Sequence, residues 1–141
     1  MVKQLIHDAF FLSIKSEEAT SEDLKIANDL LDTLMEHRES CVGMAANMIG
    51  ERKRIIAFLD ESGKKPIYTL MFNPEIIKQE GKYNAEEGCV SLLGDPRPCV
   101  RYKTVKVKYQ DESFKMRIKT YTGWTAQIIQ HEIDHCEGRL I

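Results

Sequence analysis

The stretch Thr122-Gly123-Trp124-Thr125-Ala126-Gln127-Ile128-Ile129-Gln130-His131-Glu132-Ile133-Asp134-His135-Cys136 decides how the rest of the chain is read. It has helical length, and Gly138 just beyond it is a helix-ending signal. Residues four apart stack on one helical face, so His131 and His135 can present two imidazoles to one cation. Neutral imidazole nitrogen is a good ligand for zinc, iron and related divalent ions. Glu132 adjoins the first histidine, where a carboxylate can reach a water at such an ion as general base. A polar helix end spelling this by chance is the competing reading. A catalytic centre usually adds a third protein ligand. The candidates are His7, His37, Cys41, Cys89, Cys99, Cys136 and many carboxylates. Cys136 adjoins His135 and points elsewhere on the helix. Cys89 has the better context, Glu87-Gly88-Cys89-Val90-Ser91, because Gly88 allows close backbone approach.

Working outward, residues 21–37 predict a second helix, with Ser21 as cap, Glu22 and Asp23 in its first turn, and Leu24, Ala27, Leu31, Leu34 and Met35 toward the core. Residues 54–59 read as a strand ending at the turn Asp60-Glu61-Ser62-Gly63. Residues 67–72 read as another, stopped by Asn73-Pro74. Thr104 to Tyr109 alternates apolar and polar residues, as do Phe114, Met116 and Ile118 with Lys115, Arg117 and Lys119. Gln110-Asp111-Glu112-Ser113 between them predicts a hairpin. Strands in the middle and helices at the ends give an α+β class: largely antiparallel sheets around a C-terminal metal-binding helix, with an N-terminal helix. At 141 residues the expectation is one domain, 1–141.

The chain is 43% hydrophobic and 30% charged, with a formal net charge of −2, so no basic surplus points to nucleic acid or an anionic membrane. No apolar run approaches the roughly 20 residues of a membrane span. The start lacks a signal-peptide pattern, since Asp8 interrupts any apolar region. The expected compartment is the cytoplasm, where four cysteines read as free thiols or metal ligands.

Three separated motifs make the chain resemble the peptide deformylase family. His131 to His135 with Gly138 is similar to the family's His-Glu-x-x-His and loop glycine. Glu87 to Ser91 matches its Glu-Gly-Cys-x-Ser. Cys41-Val42-Gly43-Met44-Ala45-Ala46-Asn47-Met48 matches Gly-x-Gly-x-Ala-Ala-x-Gln only in part. Ile49-Gly50, Asn73-Pro74-Glu75 and Gln130 add smaller similarities. The resemblance implies one divalent metal ion on Cys89, His131 and His135, ferrous iron by family habit with zinc, nickel or cobalt as substitutes. It makes Glu132 the proton shuttle and N-formylmethionyl peptides or nascent chains the partners. It places Val42, Gly43 and Val90 on the oxyanion and substrate side, with Leu92 in the pocket, and it makes Glu87 a brace paired with a cation, for which Arg97 is the candidate. Trp124, Gln127 and Ile128 share the helical face of the histidines and are expected to line an apolar pocket, core packing being the alternative for Trp124 and Ile128. Asp134 is expected to support a ligand or cap rather than bind metal.

Two positions depart from the family. Met48 stands where its glutamine donates a hydrogen bond to the water or developing oxyanion, and a thioether cannot donate. Cys41 replaces the first glycine. Asn47 lies one residue early, which turns a side chain by about 100° on a helix, so its amide is expected to point elsewhere. The expected function is therefore metal-dependent removal of the formyl group from formyl-methionyl peptides, releasing formate, at a rate reduced by Met48 and Cys41. The alternative is a non-catalytic or differently specific metal-binding paralogue that holds peptide N-termini or hydrolyses another small amide. Oligomeric state is not readable from these residues.

Overall fold

A computed structural model describes residues 1–92 and 94–141. The elements are α1 (Ala9–Leu12), α2 (Leu24–Glu36), β1 (Gly43–Ala45), β2 (Ile55–Asp60), β3 (Ile67–Glu87), β4 (Arg97–Gln110), β5 (Met116–Thr122) and α3 (Gly123–Cys136), with short 3₁₀ turns at Ser21–Asp23 and Ala46–Ile49. The strands pair antiparallel in chain order, giving a five-stranded sheet β1-β2-β3-β4-β5. The α+β expectation therefore holds.

Helix α2 buries Ala27, Leu30, Thr33 and Leu34, while Leu24 and Met35 are exposed, contrary to the sequence reading. The buried stripe is narrower than the apolar periodicity and rotated away from both. The cap is Thr20 rather than Ser21: its hydroxyl accepts from Glu22 N at 3.3 Å, and its own N–H donates to Asp23 Oδ2 at 2.8 Å.

Strand β3 runs through Asn73-Pro74, where a stop was expected. The register shifts there, and Asn73 adopts φ 53. Asparagine tolerates the left-handed region, and a bulge needs no ladder donor from proline. The Asn73 amide is held as well, accepting from Ala19 N at 2.7 Å and donating to Gln110 Oε1 at 2.8 Å. The β4–β5 hairpin forms as predicted, with Val105 and Val107 of β4 buried, but the apolar alternation expected on β5 is reversed. Met116 and Ile118 are each 55% exposed, whereas Tyr121, opposite Val105, is the buried β5 side chain. Phe114, at φ 59, lies in the turn and stacks on Phe72 at 4.6 Å between ring centres.

Helix α3 lies against β1, β2, β4 and β5, and nearly every residue from Ile128 to Cys136 is buried. It takes over where β5 stops. The last β4–β5 pair is Thr104 with Thr122, and beyond it the Gln130 amide accepts from Tyr102 N at 2.9 Å and donates to Tyr102 O at 2.8 Å. One side chain thus continues the ladder and satisfies a strand edge that would otherwise carry unpaired backbone groups. The chain turns away just past the end of the helix at Gly138, φ 79, where an added Cβ would sit 2.4 Å from Ser13 O.

Candidate metal centre and active site

Three segments meet at one cavity of about 450 Å³. Residues around β1 supply Cys41, Val42, Gly43 and Met48; the end of β3 and the loop after it supply Glu87, Cys89 and Val90; α3 supplies Trp124, Ile128, His131 and Glu132. Leu92 is instead buried in the apolar core. Trp124 is 54% exposed at the cavity wall, so it is not a core residue.

The ligand-type atoms of Cys89 and His131, which line this cavity, and of the fully buried His135 lie within 4.8 Å of one another, the one such group among the described residues. The two Nε2 atoms face each other at 3.0 Å. His131 Nδ1 donates to Glu87 Oε1 at 2.7 Å, which leaves a lone pair on Nε2 when the ring is neutral. Burial disfavours charge on both rings. For His131, Cys89 and the carboxylates of Glu87 and Glu132 outweigh burial and raise the pKa to about 10. For His135, burial and then the His131 charge push it down to about 3. One thiolate and two imidazoles suit zinc or iron, so the donor chemistry fits a divalent ion.

Glu132 completes the arrangement. Its carboxylate is buried, lines the cavity, and its Oε1 has no hydrogen-bond partner among the described residues. Burial raises its pKa to about 7, which keeps a carboxylate close to the proton-exchanging range at neutral pH. The close packing requires glycine at position 43. A Cβ there would sit 2.8 Å from Ile128 Cγ2 and 2.9 Å from Glu132 Oε2. Gly43→Ala is therefore expected to displace Glu132 and to destabilise by about 1–3 kcal/mol. A urea titration and a cobalt(II) spectrum of the variant check both effects, and an unchanged midpoint would mean that the cavity wall yields.

The brace on Glu87 corrects the sequence reading. Arg97 faces Glu87 across the β3–β4 ladder, but its side chain makes no hydrogen bond or ion pair with that carboxylate, and its buried Nη1 has no partner among the described residues. The partner is Arg101, which donates from Nη2 to Glu87 Oε1 at 2.6 Å and from Nε to Oε2 at 3.0 Å, and from Nη1 to Asp134 Oδ2 at 2.7 Å. Arg101 is in phase with the core residues Val105 and Val107 along β4. A charge at that phase must be buried and paired, and this was the available signal. Asp134 supports the arginine and also accepts from Arg139. Gln127 donates to Glu87 Oε2 at 2.8 Å, so Glu87 is fully engaged.

Burial alone would raise the Glu87 pKa, but His131, Arg101 and Gln127 hold it at about 2, below its ordinary 4.5. A depressed carboxylate contributes stability that is complete above about pH 4.5 and is lost as pH falls toward 2. Glu87→Gln should therefore flatten the acid limb of a stability–pH curve between those values. Parallel limbs in parent and variant would exclude Glu87 as its source.

The first motif is distinct in structure as well as in sequence. Met48 is fully buried, and its thioether accepts from Ala45 N at 3.4 Å. The Asn47 amide donates to His135 O at 2.9 Å, away from the cavity, so it does not replace the missing glutamine. The Cys41 thiol donates to Gly43 O at 2.8 Å, and burial together with the Glu132 charge pushes its pKa to about 12, so it remains a neutral thiol.

An α+β fold that holds such a cluster beside a buried, unpartnered carboxylate has the make-up of a metal-dependent hydrolase. The sequence model of the family described as Polypeptide deformylase matches residues 6–141. A peptide deformylase of Clostridium beijerinckii is 48% identical over 141 residues, covering 100% of both chains. One of Chlorobium limicola is 33% identical over 123 residues, 82% of this chain and 65% of the relative. The crystal structure of a peptide deformylase from Legionella pneumophila aligns with a TM-score of 0.87 at 32% identity, covering 99% of this chain and 83% of that one. The Met-Ala-Ser-bound class I type b peptide deformylase from Acinetobacter baumannii aligns with a TM-score of 0.87 at 25% identity, covering 99% and 96%. The chain belongs to the peptide deformylase family.

Proposed function

We propose that the protein hydrolyses the N-formyl group of formyl-methionyl peptides, with Cys89, His131 and His135 holding a divalent ion and Glu132 moving the proton. The observation that carries this reading is the buried Glu132 carboxylate, its Oε1 unpartnered among the described residues, on the wall of the cavity that Cys89 and His131 of the Cys89–His131–His135 cluster also line. Ferrous iron is the ion we assign, with zinc, nickel or cobalt as replacements. When bound, it acidifies a water and polarises the formyl carbonyl.

The chain's own groups do the rest. Glu132 accepts a proton from the attacking water and returns it to the departing amine as the carbon–nitrogen bond breaks, releasing formate and the free N-terminus. Glu87, fixed by Arg101, holds His131 in the tautomer that offers Nε2. Strand β1 pairs with β2 on one side only, and Val42 and Gly43 line the cavity, so an extended peptide can lie along its free edge. Trp124 and Ile128 supply an apolar wall for the methionine side chain. The Val90 N–H is the donor we assign to the developing oxyanion. Among the described residues no helix is long and apolar enough to cross a membrane. The nascent chains of the cytoplasm are the partners this reading requires.

Met48 favours a second reading, a paralogue that keeps the metal but turns over formyl-methionyl peptides slowly or acts on another small amide. One assay separates them: formate release from a formyl-methionyl tripeptide by protein loaded with iron under anaerobic conditions, with Glu132→Ala as blank. Glu132-dependent formate is the expected result. Its absence from an iron-loaded protein would overturn the deformylase reading.

A further inference from the structure

The segment before α2 touches all three site motifs. Ile6 N–H donates to Met48 O at 2.8 Å, His7 Nδ1 lies 3.0 Å from Ser91 O, and Ser16 N–H donates to Cys136 O at 2.8 Å. A carbonyl only accepts, so the His7 contact is an Nδ1–H donor to Ser91. Ser91 lies between β3 and β4, two residues after Cys89. Among the described residues between these strands, this is the one backbone group held by a hydrogen bond from elsewhere in the chain. A Cβ at Gly88 would meet nothing within 4 Å, whereas Cys89 and Val90 pack partly buried against the core. Leu92 anchors its apolar side in the core.

We infer that His7 is a positioning residue: its ring latches the Ser91 carbonyl and fixes the loop that presents Cys89 to His131 and His135. Ile6, on the same strap, holds the Met48 carbonyl, so adjacent residues set the spacing of the two walls. The strap's far end is fastened separately, by Lys3 N–H to Thr33 Oγ1 at 2.8 Å. The consequence for function rests on Cys89 being a metal ligand, whereas the latch itself does not.

The test compares His7→Leu, His7→Asn and Thr33→Val in the full-length protein. Asparagine keeps an N–H donor near the Nδ1 position; leucine keeps bulk without a donor. Amide hydrogen exchange of residues 88–92 in metal-free protein reads the latch, and chelator-driven release of cobalt(II), followed by its thiolate charge-transfer band, reads Cys89. His7→Leu is expected to speed both by roughly 3- to 10-fold, the worth of one hydrogen bond. His7→Asn should restore both, and Thr33→Val should change neither. Unchanged loop exchange in His7→Leu, failure of His7→Asn to rescue, or equal loosening in Thr33→Val would each overturn the latch. If the parent shows no cobalt–thiolate band, the ligand assignment falls, and the exchange data still decide the latch.

Discussion

Replacing Glu132 by alanine is expected to lower formate release by about 10²- to 10⁴-fold while leaving the metal content unchanged. The expectation follows from where the carboxylate sits. It is buried, its Oε1 has no hydrogen-bond partner among the described residues, and it adjoins the Cys89–His131–His135 cluster without being part of it. Removing it leaves the donor set and the Glu87–Arg101 brace in place. The sign of the pH dependence follows as well. A base must be deprotonated, and burial puts Glu132 at about 7 in the metal-free protein. A nearby cation favours the carboxylate, so kcat/KM should rise with pH along an acid limb at or below 7 and then level off. Metal analysis and a pH–rate profile of parent and Glu132→Ala check this. Turnover equal to the parent's would remove Glu132 from the chemistry.

Restoring a donor at position 48 should act in the opposite direction. Met48→Gln is expected to raise kcat by about 10²- to 10³-fold, the worth of one preorganised oxyanion donor. Met48 already lines the cavity and is buried, so a glutamine of similar length would place its amide in the same space. The same burial gives the gain a cost. In metal-free protein a buried amide lacking a partner should destabilise by about 1–3 kcal/mol. Faster turnover with a lower urea midpoint is therefore the expected pair of results. Unchanged turnover in both Met48→Gln and Met48→Gln combined with Cys41→Gly would show that the chain stabilises its transition state without a side-chain donor from this motif.

Much of the site was legible because its chemistry is written in short-range spacing. His131 and His135 are one helical turn apart in any α-helix, Glu132 must adjoin them, and Gly138 marks the helix end. The Glu87–Ser91 motif named Cys89 through its resemblance to a family, and folding then brought its sulfur to the imidazoles. Strand alternation placed the β4–β5 hairpin and the inward face of β4 correctly, but not which face of β5 looks inward. That was set by Tyr121 packing opposite Val105 and by the positive φ of Phe114, neither of which is a local preference.

Sequence by itself determined the α+β class, the metal-type donors, the adjoining carboxylate and the loss of a donor at Met48. Each of these depends on residue identity or on separations of a few positions. Tertiary structure alone decided that Arg101, not Arg97, pairs with Glu87, that Asn47 is tied to the His135 carbonyl, that Gln130 finishes the β4 edge, and that His7 reaches Ser91 across 84 positions. Those choices depend on which buried polar groups meet after the chain has folded, and burial makes every such group find a partner wherever the fold brings one.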